Sequence, residues 1–142
     1  MTKINMKKIL IIGAKGMLGQ ELVSVFKRDK DYKVIAWDKE DLDVTNEVAV
    51  NKKIKFIHPE IIINSSAYNA VDRCEDKKEF ELAKKINGLA PGYLAKIAKK
   101  IGATLIHYST DYVFSGKDPE FEEPKGCTHV CGTCGLHRGF IP

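Results

Sequence analysis

The chain has 142 residues, of which 44% are hydrophobic and 30% are charged, and its formal net charge is +4. This length suits one ordinary domain, and the composition is that of a soluble globular protein with a real core. No apolar run approaches the roughly 20 residues of a membrane span, and the charges are mixed rather than gathered in one basic block, so we expect neither a membrane nor a nucleic-acid partner.

Short apolar runs alternate with helical patterns along the chain. The runs predict strands at residues 7–12, 32–37, 60–65 and 104–109. Apolar spacing predicts a helix after the first strand, a helix at 47–57 that starts from Thr45 or Asn46, and a long helical stretch at 75–101 that has Pro91 in the first turn of its second part. Strands that alternate with helices predict an α/β fold with a parallel, doubly wound sheet.

The stretch "IIGAKGMLG" places three glycines, Gly13, Gly16 and Gly19, between the first strand and the first helix. In this context Gly13 permits a tight turn, Gly16 lets the backbone approach a pyrophosphate, and Gly19 lets the helix pack close to the strand. The N-terminus of the helix then faces the phosphates with free N–H groups and the positive end of its dipole. The pattern therefore predicts a Rossmann-type dinucleotide site that binds NADPH or NADH.

Asp38 stands at the end of the second predicted strand. A carboxylate at this position accepts hydrogen bonds from the hydroxyl groups of the adenosine ribose, which favours NAD. Lys39 follows directly and is able to meet a 2′-phosphate instead. The sequence therefore leaves the choice between NAD and NADP open.

Five stretches of the chain together resemble one family. They are "GAKGMLGQEL", "DLDVTN", "PEIIINSSAYNAVDRCE", "INGLAPGYLA" and "IHYSTDYVFSG". From about Lys7 to Glu123 the chain resembles the dTDP-4-dehydrorhamnose reductases, extended short-chain dehydrogenases that make dTDP-L-rhamnose. The resemblance implies an incomplete Rossmann domain over residues 1–123, without the further strands and the C-terminal sugar-nucleotide domain of the family.

The resemblance also assigns candidate site residues, position by position. Those at the cofactor's pyrophosphate turn are Gly13, Gly16, Met17, Leu18 and Gly19. Those along the rest of the cofactor are Asp38, Asp43, Val44, Ala67, Tyr68, Asn69 and Tyr108. Thr110 and Asp111 would reach the sugar nucleotide, with Thr110 hydrogen-bonded to its 4-keto oxygen. His107 is not included, because on a strand its side chain points away from that of Thr110.

The reaction implied by the resemblance needs a proton donor that this sequence lacks. In the family a tyrosine protonates the carbonyl oxygen during hydride transfer, and a lysine four residues later lowers the pKa of that tyrosine. No tyrosine follows Tyr112 and the last lysine is Lys125, so Thr110 is the one catalytic residue that we expect. We therefore expect the chain alone to be inactive and marginally stable, with its last strand at an uncovered sheet edge.

The tail at 124–142 changes character and carries Cys127, Cys131 and Cys134. This spacing is similar to that of radical-SAM iron–sulfur enzymes, but eight residues after Cys134 cannot build a barrel around a cluster. A zinc site completed by His129 or His137 is chemically feasible, yet few apolar residues surround it. We interpret the tail as out-of-frame text that is disordered, and we expect no metal site.

Three functions follow from these patterns. The first is the NAD(P)H-dependent reduction of dTDP-4-dehydrorhamnose to dTDP-L-rhamnose by the parent family, with a dTDP-sugar as the small-molecule partner. The second is a non-catalytic, dinucleotide-binding regulatory subunit, and the third is a small zinc-binding protein. A lone Cys74 in the body gives no disulfide framework, so we expect a reducing, cytoplasmic location. A homodimer of the full-length parent is compatible with the resemblance.

Overall fold

The structure is a computed structural model that describes residues 6–109, apart from the side chains of Val71 and Cys74. Its elements in chain order are β1 (Lys7–Ile12), α1 (Met17–Arg28), β2 (Tyr32–Trp37), α2 (Glu47–Ile57), β3 (Ile61–Asn64), a 3-10 turn (Val71–Glu75), α3 (Lys77–Ala83), a π-helical turn (Lys84–Leu89), α4 (Ala90–Ile101) and β4 (Thr104–His107).

The described strands form one parallel sheet in the order β2-β1-β3-β4. β1 lies inside the sheet, and its residues Ile9 to Ile12 are at most 1% exposed, which explains why the run is apolar on both faces. From β1 the chain passes through α1 to β2 on one side, and then through α2 to β3 on the other side. The winding direction thus reverses between β1 and β3, and open α/β sheets bind ligands at the carboxyl end of such a switch point.

Helices cover both faces of the sheet, which confirms the predicted doubly wound α/β architecture. On one face α2 and α4 pack against the strands, and the large side chains that are fully buried there are Leu10, Ile12, Leu42, Val50, Ile54, Ile62, Leu94 and Ile97. On the opposite face α1 packs against Ile9, Ile11 and Ile63. Alternate residues of β1 thus serve opposite layers, as the pleat of a strand requires.

α1 packs directly on the turn that precedes it. A Cβ atom built on Gly19 would lie 2.0 Å from the carbonyl oxygen of Gly13, so no side chain fits between helix and turn. Further along α1, Leu22 and Phe26 pack on the sheet, whereas Val25 is exposed. Helical spacing predicted the helix, but it could not show which part of the apolar stripe the sheet covers.

α2 has the predicted bounds, and its two ends are capped. The Asn46 side chain accepts a hydrogen bond from the N–H of Ala49 at 3.0 Å, which identifies Asn46 rather than Thr45 as the N-cap. At the other end His58 adopts a left-handed conformation with φ of 47°, and its N–H donates to the carbonyl of Ile54. Pro59 follows and prevents the helix from continuing.

The long helical stretch predicted at 75–101 is divided in the structure. α3 passes through the π-helical turn into α4, and Pro91 occupies the first turn of α4. In an uninterrupted α-helix the proline ring would clash with the carbonyl four residues earlier. The wider π-helical turn, in which the N–H of Ala90 donates to the carbonyl of Lys85, relieves this conflict.

β4 ends at His107, two residues before the predicted end, and within residues 6–109 it is the last strand of the sheet on its side. Ile106 lies in register with Ile63 and is 42% exposed, and the uncovered edge after β4 stays a prediction. Thr110, Asp111 and the cysteine-rich tail lie outside the described residues. None of the helices described is long and apolar enough to cross a membrane.

We predict that Gly19→Ala destabilises the fold by about 3 kcal/mol or more, because the added methyl group collides with backbone atoms that cannot turn away. Gly92→Ala is the matched control, since a Cβ atom on Gly92 in α4 meets no atom within 4 Å. The free energy of unfolding of the control should rise by about 0.5–1 kcal/mol, because alanine has a higher helix propensity than glycine. Urea unfolding of the two variants tests this, and equal stabilities would contradict the packing described for Gly19.

Candidate functional site

The sheet register aligns the ends of the described strands in one row. Ile12 of β1 pairs with Trp37 of β2 and with Asn64 of β3, and Asn64 pairs with His107 of β4. The residues that follow each strand therefore lie along one edge of the sheet. Four predicted site residues come one to three positions after a strand and share this edge, namely Gly13, Asp38, Ala67 and Tyr108.

The turn after β1 is anchored to both neighbouring strands. The N–H groups of Gly13 and Ala14 donate to the Trp37 carbonyl at 2.9 and 3.1 Å, and the N–H and hydroxyl of Ser65 donate to the Ile12 carbonyl at 2.9 and 2.7 Å. Gly13 has φ of +79°, and a Cβ atom there would lie 2.7 Å from the backbone nitrogen of Ser66. Glycine is thus required at this position by conformation and by the close approach of the two chains.

The N-terminus of α1 opens at this turn without an acidic or capping side chain. Gly16 is the N-cap and has no side chain to make a capping hydrogen bond. The first turn of α1 contains no acidic residue. Met17 and Leu18 follow it and are 89% and 42% exposed. The first N–H groups of a helix have no partner within the helix, so this end favours an anion such as a pyrophosphate.

Gly16 is less constrained by packing than its two neighbours in the motif. Its backbone has φ of −68° and ψ of 162°, which any residue adopts. A Cβ atom there would lie 3.3 Å from the Gly13 carbonyl oxygen, which is a tight contact but not the overlap found at Gly13 and Gly19. A glycine at this position also lets a ligand approach the backbone.

Asp38 is built into the turn that follows β2. Its two carboxylate oxygens accept hydrogen bonds from the N–H groups of Lys15 and Lys39, both at 2.8 Å. Partial burial acts to raise the pKa of Asp38, but these two N–H donors and the nearby lysine charges outweigh it and lower the pKa below its ordinary value. The carboxylate is therefore ionised at neutral pH and retains lone pairs for a ribose hydroxyl.

One lysine and one glutamate side chain, those of Lys15 and Glu40, form an ion pair beside Asp38. The Lys15 ammonium group lies 3.0 Å from the Glu40 carboxylate, and both side chains are largely exposed. The hydrogen bond to Glu40 raises the pKa of Lys15. The backbone N–H of Glu40 and the contact with Lys15 lower the pKa of Glu40.

Asp43 and Val44 lie in the connection between β2 and α2. The Asp43 carboxylate accepts hydrogen bonds from the N–H and the hydroxyl of Thr45 at 2.9 and 2.7 Å, so it shapes the turn before α2. Val44 is 8% exposed and belongs to the core shared by α2 and α4. The placement of both residues beside an adenine ring stays a prediction.

Asn87 was not among the predicted site residues, but it holds the loop after β3. Its side-chain oxygen accepts a hydrogen bond from the N–H of Tyr68 at 2.8 Å, and its amide group donates to the Tyr68 carbonyl at 3.0 Å. The Tyr68 hydroxyl also bonds the carboxylate of Glu79 in α3. The π-helical turn aims Asn87 at this loop and thereby positions Ala67, Tyr68 and Asn69. An asparagine within a helical pattern, four residues before a proline, is the signal that sequence offered.

A hydrogen-bond network joins β3 to β4 under the same edge, with Asn64 buried and His107 closer to the surface. Asn64 is 1% exposed, and its side-chain oxygen accepts hydrogen bonds from the N–H and the hydroxyl of Ser66 at 3.1 and 2.6 Å. Its amide nitrogen must then be the donor to Nδ1 of His107, 3.2 Å away. His107 is therefore neutral and carries its proton on Nε2 in this arrangement.

The described residues contain no group of three or more His, Cys, Asp or Glu placed to hold a metal ion, and the cysteines of the tail lie outside them. The predicted substrate residues Thr110 and Asp111 also fall outside, so their roles stay predictions. The part of the site that the structure brings together is the glycine turn, Asp38 and the loop after β3.

A parallel, doubly wound sheet with a glycine turn and an uncapped helix N-terminus at its switch point defines a Rossmann-type domain. Comparison with known protein families matches residues 6–131 to the family described as RmlD substrate binding domain. The chain therefore belongs to this family, and it corresponds to the N-terminal part of the dTDP-4-dehydrorhamnose reductases, as the sequence motifs predicted.

Known relatives agree with this assignment. The spore coat polysaccharide biosynthesis protein SpsK of Bacillus subtilis is 41% identical over 112 residues, which are 79% of this chain and 38% of that protein. The crystal structure of a dTDP-4-dehydrorhamnose reductase from Clostridium acetobutylicum is 45% identical, with a TM-score of 0.72, over 82% of this chain and 42% of that one. The structure of the Bacillus anthracis dTDP-4-dehydrorhamnose reductase in complex with NADP is 36% identical, with a TM-score of 0.74, over 89% of this chain and 45% of that one. The chain thus spans less than half the length of these relatives.

We predict that the fold loses stability as the pH falls through about 6.5, because desolvation lowers the pKa of His107 below its ordinary value of 6.5. Above this pH the imidazole is neutral in both states and the bond from Asn64 is intact. Below it the unfolded chain takes up a proton more readily than the folded chain, so unfolding becomes more favourable.

Urea midpoints at about pH 7.5 and 5.5 measure this difference. His107→Asn keeps an acceptor near the position of Nδ1 but does not titrate, so its midpoint should change less between the two pH values. His58→Asn, at the end of α2, is the control and should retain the dependence because His107 is still present. If the urea midpoint of His107→Asn changes with pH as much as that of the unmodified chain, the contact between Asn64 and His107 is not the source of the pH dependence.

Proposed function

We propose that the chain supplies the cofactor-binding part of an NAD(P)H-dependent reductase that converts dTDP-4-dehydrorhamnose to dTDP-L-rhamnose. The observation that carries the proposal is the N-terminus of α1, which opens at the switch point with Gly16 as its N-cap and with no capping or acidic side chain in its first turn. Family membership supports it, as do the two structurally similar reductases, one of which is in complex with NADP.

The residues of this chain fit a dinucleotide in an extended arrangement along the sheet edge. We propose that the backbone at Gly16, Met17 and Leu18 approaches the pyrophosphate, because Gly16 has no side chain and the helix N-terminus opens there. Gly13 and Gly19 would serve the site by shaping the turn, since both pack against backbone atoms of the protein. Asp38 would then accept hydrogen bonds from the adenosine ribose, with Asp43 and Val44 on the adenine side. The loop held by Asn87 and the start of the segment after β4, with Tyr108, would border the inner ribose and the nicotinamide.

A bound reduced nicotinamide supplies a hydride for carbonyl reduction. The contribution of the described residues is to bind and orient it, and the substrate contacts at Thr110 and Asp111 belong to the proposal. The 142 residues contain no tyrosine after Tyr112 to serve as proton donor. We therefore propose that these 142 residues by themselves bind dinucleotide without reducing a dTDP-sugar, and that they do so in the cytoplasm.

Gly16→Asp separates binding from folding. Aspartate is a favoured N-cap and its charge suits the helix dipole, which offsets the tight contact of its Cβ atom with the Gly13 carbonyl, so stability should change by no more than about 1 kcal/mol. The same charge repels a pyrophosphate, and the affinity for ADP-ribose should fall at least about tenfold. Calorimetric titration and urea unfolding give the two quantities.

Gly16→Asn is the matched control because it has nearly the same size and capping ability but no charge. It should weaken binding less than Gly16→Asp does. Equal, undiminished affinity in both variants would show that the nucleotide does not bind at this turn.

Turnover provides a separate prediction. The 142-residue chain, mixed with NADPH or NADH and dTDP-4-dehydrorhamnose, should bind the nucleotide but show no decrease in absorbance at the nicotinamide band, because no tyrosine is available as proton donor. A steady substrate-dependent decrease would contradict the proposed role of the tyrosine and lysine pair.

A further inference from the structure

The turn after β2 gathers charges at the place where the adenosine ribose is proposed to bind. Asp38, Lys39, Glu40 and Asp41 are consecutive, and Lys15 reaches them from the glycine turn. The N–H of Lys15 donates to one oxygen of Asp38, while its ammonium group lies 3.0 Å from Glu40. Asp41 accepts a hydrogen bond from the N–H of Asp38 at 3.0 Å, which brings a third carboxylate to the turn.

The two nicotinamide cofactors differ at this ribose. NAD carries a 2′-hydroxyl group, which is able to donate a hydrogen bond to a carboxylate, whereas NADP carries a 2′-phosphate, which a carboxylate repels. A site that accepts the phosphate needs a cation with no competing anion. Lys15 is near enough in the chain, since its backbone already touches Asp38, but its ammonium group is engaged by Glu40.

We propose that Glu40 is a specificity-determining residue, which holds Lys15 and adds its own negative charge so that the site prefers the cofactor with a free 2′-hydroxyl group. This inference rests on the proposed function and narrows it to NADH. Removal of the Glu40 charge releases Lys15 toward a 2′-phosphate and reduces the repulsion at the same time.

Two other lysines lie at this turn and are alternative partners for the phosphate. The Lys53 ammonium group donates to the backbone carbonyl of Asp41, whereas Lys39 donates its backbone N–H to Asp38, a bond that does not involve its ammonium group. Neither contact ties a lysine to Glu40, so the release of Lys15 is the specific consequence of changing Glu40. A variant at Lys15 therefore distinguishes this mechanism from a general loss of negative charge.

The test measures the affinities of the 142-residue chain for ADP-ribose and for 2′-phospho-ADP-ribose by calorimetry. These probes contain the adenosine ribose and the pyrophosphate but no nicotinamide, so the readout is independent of turnover. The unmodified chain should favour ADP-ribose. In Glu40→Gln the preference should narrow by roughly three- to tenfold, and the change should shrink at high salt because the groups are exposed.

Two variants complete the design. Glu47→Gln is the matched control, since Glu47 forms a similar exposed ion pair with Lys96, 3.1 Å long, at the start of α2, and its removal should leave the preference unchanged. In the double variant Lys15→Gln/Glu40→Gln, the affinity for 2′-phospho-ADP-ribose should rise less, relative to the unmodified chain, than it does in Glu40→Gln alone. The difference is the coupling that Lys15 contributes.

The outcomes separate this inference from the function on which it rests. If neither probe binds the unmodified chain, the proposed function fails and the inference with it. If ADP-ribose binds but the phosphorylated probe binds more tightly, or if Glu40→Gln leaves the ratio unchanged, the function stands and the role of Glu40 is overturned. If the double variant keeps the full gain, Glu40 acts without Lys15 and the proposed mechanism is wrong.

Discussion

The structure depends on the close approach of three backbone segments at the end of β1. The Gly13 carbonyl lies where a side chain on Gly19 would begin, and Gly13 itself leaves room for the backbone of Ser66. With these contacts, α1 starts directly over the turn and the loop after β3 lies beside it. Any larger residue at Gly13 or Gly19 would push the elements apart, and the helix N-terminus would no longer open at the switch point.

The chemistry of the edge follows from this geometry. An uncapped helix end presents N–H groups to an anion, while the next strand ends in a carboxylate that two backbone N–H groups keep ionised. In the proposed function, attraction for a pyrophosphate and repulsion of a further phosphate would thus lie at neighbouring positions on one edge. The ion pair of Lys15 and Glu40 is exposed, so a change of one of its charges leaves the core undisturbed.

Much of the fold could be predicted from local patterns, because the informative contacts were short in sequence. The bounds of β1, β2 and α2 agree with the structure since buried strands are continuously apolar and Asn46 and Pro59 mark the helix ends. A second part of 75–101 that begins near Pro91 was predicted, but the π-helical turn before it was missed, because apolar periodicity continues through such a turn. In the site, glycine spacing and Asp38 were apparent, whereas Asn87 binds Tyr68 across 19 residues and Asn64 meets His107 across 43.

The sequence by itself determined the class of fold, the family and the positions of the glycine turn and of Asp38 at the end of β2, since each depends on a run of neighbouring residues. The tertiary structure decided which glycines packing requires, namely Gly13 and Gly19, whose added Cβ atoms would overlap backbone atoms. It also decided that the Asn64 amide faces a neutral His107 and that Glu40 occupies Lys15. These features arise between segments that are distant along the chain, and hydrogen-bond partners of that kind are specified by packing rather than by spacing.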